Sequence, residues 1–223
     1  MTSSPEFINT SDLEKISDFV ATCIIDKLKI GQRVFWFVPG GSAISVASLV
    51  AKKISRHDHH NLIVTLTDER YGPLDHVDSN WRQLKEAGFN LPEAKLIPVL
   101  ADYDFLASAK IFAANLKREL ITSDYVIGLF GIGPDGHTAG MLPHSPAVLS
   151  TELTCAYDAG NFKRITITPR AIAYFDEAIV YAQGESKWPI LKQLNQEIPV
   201  IDQPAQILKT IKKLTIFSDY KNI

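Results

Sequence analysis

Apolar side chains between Asp12 and Leu28 recur at Leu13, Ile16, Val20, Ile24 and Leu28, with polar residues between them. That spacing keeps one face of a 3.6-residue helix apolar. Ser11 or Asp12 is placed to cap its start and Gly31 to end it. The pattern then switches. RVFWFVP (33–39) is a short run rich in β-branched and aromatic residues and reads as a buried strand. GGS (40–42) follows, then a helical pattern from Ala43 to Ile54. LIVTLT (62–67) reads as a second strand, 68–80 as a polar loop, and 80–88 as a short helix ended by Gly88. LIPVL (96–100) is a weaker strand candidate, and Phe105 to Leu120 is amphipathic. YVIGLFG (125–131), RITIT (164–168), EAIVYAQ (177–183) and KLTIF (213–217) complete the strands, with helices over 170–175, 186–195 and 204–210.

Strands alternating with helices predict an α/β fold with a mainly parallel sheet covered on both faces. Ligands bind beyond the carboxyl ends of the strands in such sheets, so the loops after the strands carry the candidate chemistry. Gly40-Gly41-Ser42 lies between a strand and a helix. Its glycines admit a close backbone approach, and the helix start offers free N–H groups to a phosphate or oxyanion. The same three residues also suit a plain tight turn, and they form neither a P-loop nor a dinucleotide fingerprint.

Thr67-Asp68-Glu69-Arg70-Tyr71 also closes a strand. It supplies carboxylates for acid–base work and a guanidinium for a phosphate, or else a solvated salt-bridge loop. Ser79-Asn80 is suited to orient this loop or cap the short helix. The segment Gly131-Ile132-Gly133-Pro134-Asp135-Gly136-His137-Thr138 sets an Asp and a His two residues apart among glycines. A neutral imidazole, titrating near ~6.5, takes a proton from water at cellular pH, and a neighbouring carboxylate holds its tautomer. Arg164 opens a strand, and Lys187 in Gly184-Glu185-Ser186-Lys187 sits near a helix start, where a cation is unfavourable unless an anion joins it.

Composition narrows the classes. The 223 residues are 46% hydrophobic and 22% charged, as in a globular chain, and 223 residues fit one domain over 1–223. Lys+Arg 23 against Asp+Glu 25 leaves −2, which argues against a strongly basic nucleic-acid binder. The apolar runs are too short for a membrane span, and MTSSPEFINTSDLEK lacks a leader's apolar stretch. Two cysteines, Cys23 and Cys155, make no disulfide framework, which suggests a reducing, cytoplasmic compartment. His57-Asp58-His59-His60 reads as a solvated loop without clean ligand spacing, Cys23 as core, and Phe35-Trp36-Phe37 as strand packing.

GGS (40–42), TDER (67–70) with DSN (78–80), GIGPDGHTA (131–139), RITIT (164–168) and GESK (184–187), in this order, resemble the 6-phosphogluconolactonases. The resemblance implies a Rossmann-like αβα sandwich related to glucosamine-6-phosphate deaminase, with no metal and no organic cofactor. It implies hydrolysis of 6-phospho-D-glucono-1,5-lactone, the second step of the oxidative pentose phosphate pathway. His137 then acts as general base and Asp135 orients it. Arg70 and Lys187 bind the phosphate, supported by Arg164, Ser42 and the Gly40–Gly41 backbone, while Asp68 and Glu69 hold Arg70 or act from behind it. Partners beyond the sugar phosphate are not implied, and a monomer or weak homo-oligomer suits the fold. Ala43-Ile44 stands where the family usually has Thr-Pro, and Gly140-Met141-Leu142-Pro143 replaces its Ser-Leu-Phe-Pro. The deaminases of the superfamily carry a Glu five residues after the His, where this chain has Leu142, and a residue other than Arg at position 70. A non-catalytic sugar-phosphate sensor would need a DNA-binding partner domain, and no basic helix-turn-helix segment fits before Gly31 or after Ile207.

Overall fold

The computed structural model describes residues 5–101 and 104–221. Residues 1–4, part of the stretch read above for a leader, lie outside them. In chain order the elements are β1 (Glu6–Asn9), α1 (Leu13–Lys29), β2 (Val34–Val38), a 3-10 turn (Gly41–Ala43), α2 (Ile44–Ile54), β3 (Leu62–Leu66), β4 (Asp68–Arg70), α3 (Asn80–Glu86), β5 (Lys95–Ile97) and α4 (Phe105–Thr122). They continue with β6 (Tyr125–Gly131), α5 (Pro146–Leu149), β7 (Thr154–Asp158), β8 (Lys163–Ile167), α6 (Pro169–Ile172), β9 (Glu177–Ala182), a 3-10 turn (Glu185–Lys187), α7 (Trp188–Gln193), a longer 3-10 stretch (Pro204–Thr210) and β10 (Lys213–Ser218).

Seven strands form one sheet in the order β1-β10-β9-β6-β2-β3-β5, and every neighbouring pair is parallel. All five residues of β2 and of β3 are buried, as expected for strands covered on both faces. Phe37 meets Phe175 with ring centroids 4.6 Å apart, and Trp36 meets Phe89 at 5.7 Å. The helices obey local rules. The Asp12 carboxylate accepts from the N–H groups of Glu14 and Lys15 at the start of α1, and Gly31 beyond its end adopts φ 79°.

The second sheet departs from the sequence reading. Asp68–Arg70, expected as polar loop, is strand β4, and it pairs antiparallel with β8, the RITIT segment expected in the parallel sheet. β7 completes this three-stranded sheet, and neither β7 nor β1 was legible, being short and of mixed polarity. Pairing supplies the stabilisation that their own patterns lack, from distant strands for β1 and β4 and from the adjoining β8 for β7. The strand over 96–100 shrinks to Lys95–Ile97, because Pro98 has no N–H to donate to a ladder. The helix expected over 186–195 is α7 at Trp188–Gln193, that over 170–175 is the four-residue α6 opened by Pro169, and 204–210 is 3-10 rather than α.

The amino-terminal edge of the large sheet is tied by two buried carboxylates. Glu119 on α4 takes Lys95 at 2.7 Å, Arg118 at 2.8 Å, and also Arg33. Burial would raise its carboxyl, but the hydrogen bonds from these cations win and hold it at about 2. Glu177 at the start of β9 takes Lys213 at 2.7 Å and the Tyr125 hydroxyl. Cys23, expected in the core, is partly buried and donates its S–H to Glu177 over 3.7 Å. Burial, with the Glu177 charge, pushes its thiol up to about 12.

Gly128 in β6 is packed so tightly that an added Cβ would lie 2.6 Å from Phe130 Cζ and from Phe175 Cε1. Gly128→Ala is expected to destabilise by roughly 1–3 kcal/mol, as overpacking does. Urea unfolding of wild type and variant measures it, and an unchanged midpoint would contradict this packing.

Candidate active site

Four adjacent strands in the order β9-β6-β2-β3 send their chain out over the same carboxyl edge. The chain leaves β2 toward β3 on one side and β6 toward β9 on the other, so the β2–β6 junction is the switch point where such sheets hold ligands. The loops there are the ones singled out in the sequence. Gly40 to Ser42 follows β2, Thr67 to Arg70 follows β3, Ile132 to Thr138 follows β6, and Gly184 to Lys187 follows β9. The first three border a cleft of about 240 Å³ whose walls include Gly40, Gly41, Arg70, His137, Gly140 and Arg164. That is a small pocket, suited to a small ligand.

The loop after β6 is shaped around one imidazole. Asp135 Oδ1 lies 2.5 Å from His137 Nδ1 and accepts the His137 backbone N–H at 3.2 Å. A hydrogen bond to the carboxylate takes a proton on Nδ1, so in the neutral imidazole Nε2 carries the lone pair. Burial would raise the Asp135 carboxyl, but the facing His137 charge and its hydrogen bonds outweigh that and keep it below its ordinary value. Two glycines make the turn possible. Gly136 has φ 82°, and a Cβ on Gly133 would strike the His137 ring and come 2.7 Å from Asp135 Oδ1. Thr138 Oγ1 donates to the Gly131 carbonyl at 2.8 Å, and the Tyr157 hydroxyl donates to the Gly140 carbonyl at 2.6 Å. Tyr157 comes from β7 and was not anticipated.

β4 and β8 deliver the cations. Arg70 and Arg164 are directly paired across the two strands. Like charges in that relation repel unless something negative joins them. Asp68 supplies part of that charge through Arg164 Nη1 at 3.2 Å. The sequence left open which of Asp68 and Glu69 holds Arg70, and neither pairs with its guanidinium among the described residues. Arg70 Nη1 instead donates to the Asp78 carbonyl at 2.9 Å. Glu69 is buried and accepts from Arg70 N, Asn80 N, Trp81 N and the Ser79 hydroxyl at 2.7–3.0 Å. Burial raises its carboxyl, with these four hydrogen bonds pulling the other way. It therefore moulds the 70–81 loop. Ser79 caps α3, and Asn80 Nδ2 donates to the Asp68 carbonyl at 2.9 Å.

Gly41, with φ 64°, opens the 3-10 turn before α2. Ala43 and Ile44, where the resembled family has Thr-Pro, are both buried and pack into the core. Lys187 is not part of the cleft wall. It reaches the same edge, where its Nζ donates to Ser42 Oγ at 3.3 Å. Burial lowers its ammonium from the ordinary value, with the Asp219 charge resisting. Asp219, unmarked in the sequence, holds the Lys187 segment by accepting Gly184 N at 3.1 Å and Trp188 Nε1 at 3.0 Å.

The His57–His60 loop is only partly solvated. His59 is 2% exposed, its Nδ1 bonded to the His57 carbonyl at 2.8 Å and its Nε2 accepting from Glu93 N at 3.3 Å. Contrary to the reading from spacing, Asp58, His60 and Glu93 bring ligand-capable atoms within 4.8 Å of one another. Asp58 and His60 satisfy each other as an exposed pair at 2.8 Å.

The family model described as "Glucosamine-6-phosphate isomerases/6-phosphogluconolactonase" matches residues 10–217. The 6-phosphogluconolactonase of Mycobacterium tuberculosis is 30% identical over 173 residues, covering 70% of each chain. The crystal structure of a 6-phosphogluconolactonase from Shewanella baltica superposes with a TM-score of 0.83 at 20% identity, covering 98% of this chain and 99% of that one. A monomeric glucosamine-6-phosphate deaminase superposes at 0.78 with 17% identity, over 96% of each chain. These structural likenesses establish a shared fold, which serves more than one chemistry.

Gly140, with φ 73°, sits where a Cβ would lie 2.5 Å from Asp68 Oδ2. Gly140→Ala is expected to cost roughly 1–2 kcal/mol for the left-handed backbone and to push Asp68 off Arg164. Urea unfolding reads the first effect, and a crystal structure of the variant reads the second. Retention of both the midpoint and the ion pair would refute the close approach.

Proposed function

The chain belongs to the glucosamine-6-phosphate isomerase/6-phosphogluconolactonase family, and from that premise we propose that it hydrolyses 6-phospho-D-glucono-1,5-lactone with His137 as general base. The observation that carries the reading is the Asp135–His137 pair at 2.5 Å, opening on a cleft that also holds Arg70 and Arg164. A base with a fixed tautomer beside a cationic wall suits an uncharged carbonyl joined to a remote phosphate.

In the proposed route His137 Nε2 takes a proton from water as its oxygen attacks the lactone carbonyl carbon. The carbonyl electrons move onto oxygen, and backbone N–H groups of the Gly40–Ser42 turn stabilise the charge. The oxyanion re-forms the carbonyl as the bond to the ring oxygen breaks. The imidazolium gives its proton to that oxygen, which becomes a hydroxyl, and the new carboxylic acid ionises. Asp135 stays ionised and steadies the imidazolium. Arg70 and Lys187 hold the phosphate, supported by Arg164 and Ser42, so that remote binding energy positions the carbonyl over the base. Deamination has less support, because Leu142 offers no acid–base group where the deaminases carry a Glu.

With freshly generated lactone, product coupled to 6-phosphogluconate dehydrogenase and spontaneous hydrolysis subtracted, His137→Ala is expected to lower kcat by about 10²–10⁴ and to leave 6-phosphogluconate binding intact. Wild type no faster than background would overturn the reading, and glucosamine 6-phosphate turnover in its place would support the deaminase. A full rate in His137→Ala would overturn the base alone.

The lowered Lys187 ammonium predicts a pH dependence. A lysine whose pKa is depressed loses its charge at lower pH than an ordinary one, while the bound phosphate stays dianionic. Affinity for 6-phosphogluconate, followed by calorimetry from about pH 7 to 10, is expected to fall below the usual lysine range. Lys187→Arg, charged throughout, is expected to flatten the fall, and an identical fall in that variant would exclude Lys187 from the phosphate site.

A further inference from the structure

Two arginines in register across β4 and β8 need more than one carboxylate to hold them. Among the described residues each guanidinium has a single hydrogen-bonding partner. Arg70 Nη1 meets the Asp78 carbonyl and Arg164 Nη1 meets Asp68. The Nε of each is buried without a hydrogen-bond partner. What the two share is one aromatic ring. The Arg70 guanidinium carbon stands 5.0 Å from the Phe162 centroid, and that of Arg164 stands 5.8 Å from it. Both distances lie within the range in which a ring face attracts a cation. The ring is partly buried, so water screens this attraction less than at an open surface.

The position of Phe162 is set by the turn between β7 and β8. Ala159 N donates to the Phe162 carbonyl at 2.9 Å, Gly160 takes φ 86°, and Gly160 N donates to Asp158 Oδ1 at 2.9 Å. The turn therefore closes on the residue just before Lys163 and Arg164, and it carries the aromatic ring to the two cations from outside the cleft wall.

We propose that Phe162 is a positioning residue for the phosphate clamp. Its ring face offsets the repulsion between Arg70 and Arg164 and fixes the planes of both forks before the substrate arrives. The proposal rests on the phosphate reading above and adds a residue to it. Neither guanidinium pays the ordering cost at the moment of binding, so the ring acts on substrate affinity and not on the proton transfers at His137.

The test compares the phosphorylated lactone with unphosphorylated glucono-1,5-lactone on wild type, Phe162→Leu and Phe162→Trp. Phe162→Leu is expected to raise KM for the phosphorylated lactone about 5- to 30-fold. Its kcat, and its kcat/KM for the unphosphorylated lactone, should stay within about twofold of wild type, and Phe162→Trp should restore the wild-type KM. Equal losses on both lactones would mean a merely structural role and overturn the proposal, as would an unchanged KM. Phenylalanines of increasing fluorination placed at position 162 keep the shape while draining the ring face, and they decide the matter even where Phe162→Leu fails to fold. A stepwise rise in KM supports the proposal and a flat series overturns it. Wild type that does not prefer the phosphorylated lactone would instead overturn the phosphate reading, which separates the two failures.

Discussion

The parallel pairing of β2 with β6 is the constraint on which the site depends. In a parallel sheet every strand ends on the same edge, so loops far apart in sequence emerge side by side. The junction lies where the chain order reverses, which leaves a crevice between the Gly40–Ser42 turn and the Asp135–His137 loop. The pairing holds because both strands are apolar and buried, and because Gly128 makes room for Phe130 and Phe175.

Charge is distributed unequally between the two edges. At the amino edge Glu119 and Glu177 are buried and answered by nearby cations or hydroxyls, so the ionic groups there close on themselves. At the carboxyl edge Asp68 answers Arg164 and Asp219 lies behind Lys187, while the Arg70 guanidinium meets a backbone carbonyl and no carboxylate among the described residues. A guanidinium without a carboxylate partner is suited to an anion, and His137 and the glycines of the turn after β2 line the same cleft as Arg70.

The small antiparallel sheet converts a sandwich into a site. β4 continues directly from β3, so the Thr67–Arg70 strand end leaves the large sheet and pairs with β8. That pairing brings Arg164 beside Arg70 from ninety-odd residues away and lets β7 send Tyr157 to the His loop. The buried Glu69 carboxylate, accepting four donors, makes the 70–81 segment follow it. The cleft is thus built in part by elements with weak strand patterns of their own, held in place by pairing.

What could be read from the chain alone was whatever depends on neighbours in sequence. The apolar periods of α1 and α2, the continuous apolar runs of β2, β3 and β6, the Asp12 cap and the Asp135–His137 spacing are local, and helix and strand geometry turns them directly into structure. The ordered motifs 40–42, 67–70, 131–139 and 184–187 were legible for the same reason, since each lies within one loop. Only the tertiary structure decided which carboxylate meets which cation. Asp68 turned to Arg164 on a paired strand, Glu69 to the backbone of its own loop, and Asp219 to the Lys187 segment beyond the neighbouring strand, and no sequence period links these partners. β1, β7 and the burial of His59 belong to the same class. β1 relies on β10 at the far end of the chain, β7 on its hairpin with β8 and on Ala109 of α4, and His59 on Glu93, and such contacts exist only once the chain has folded.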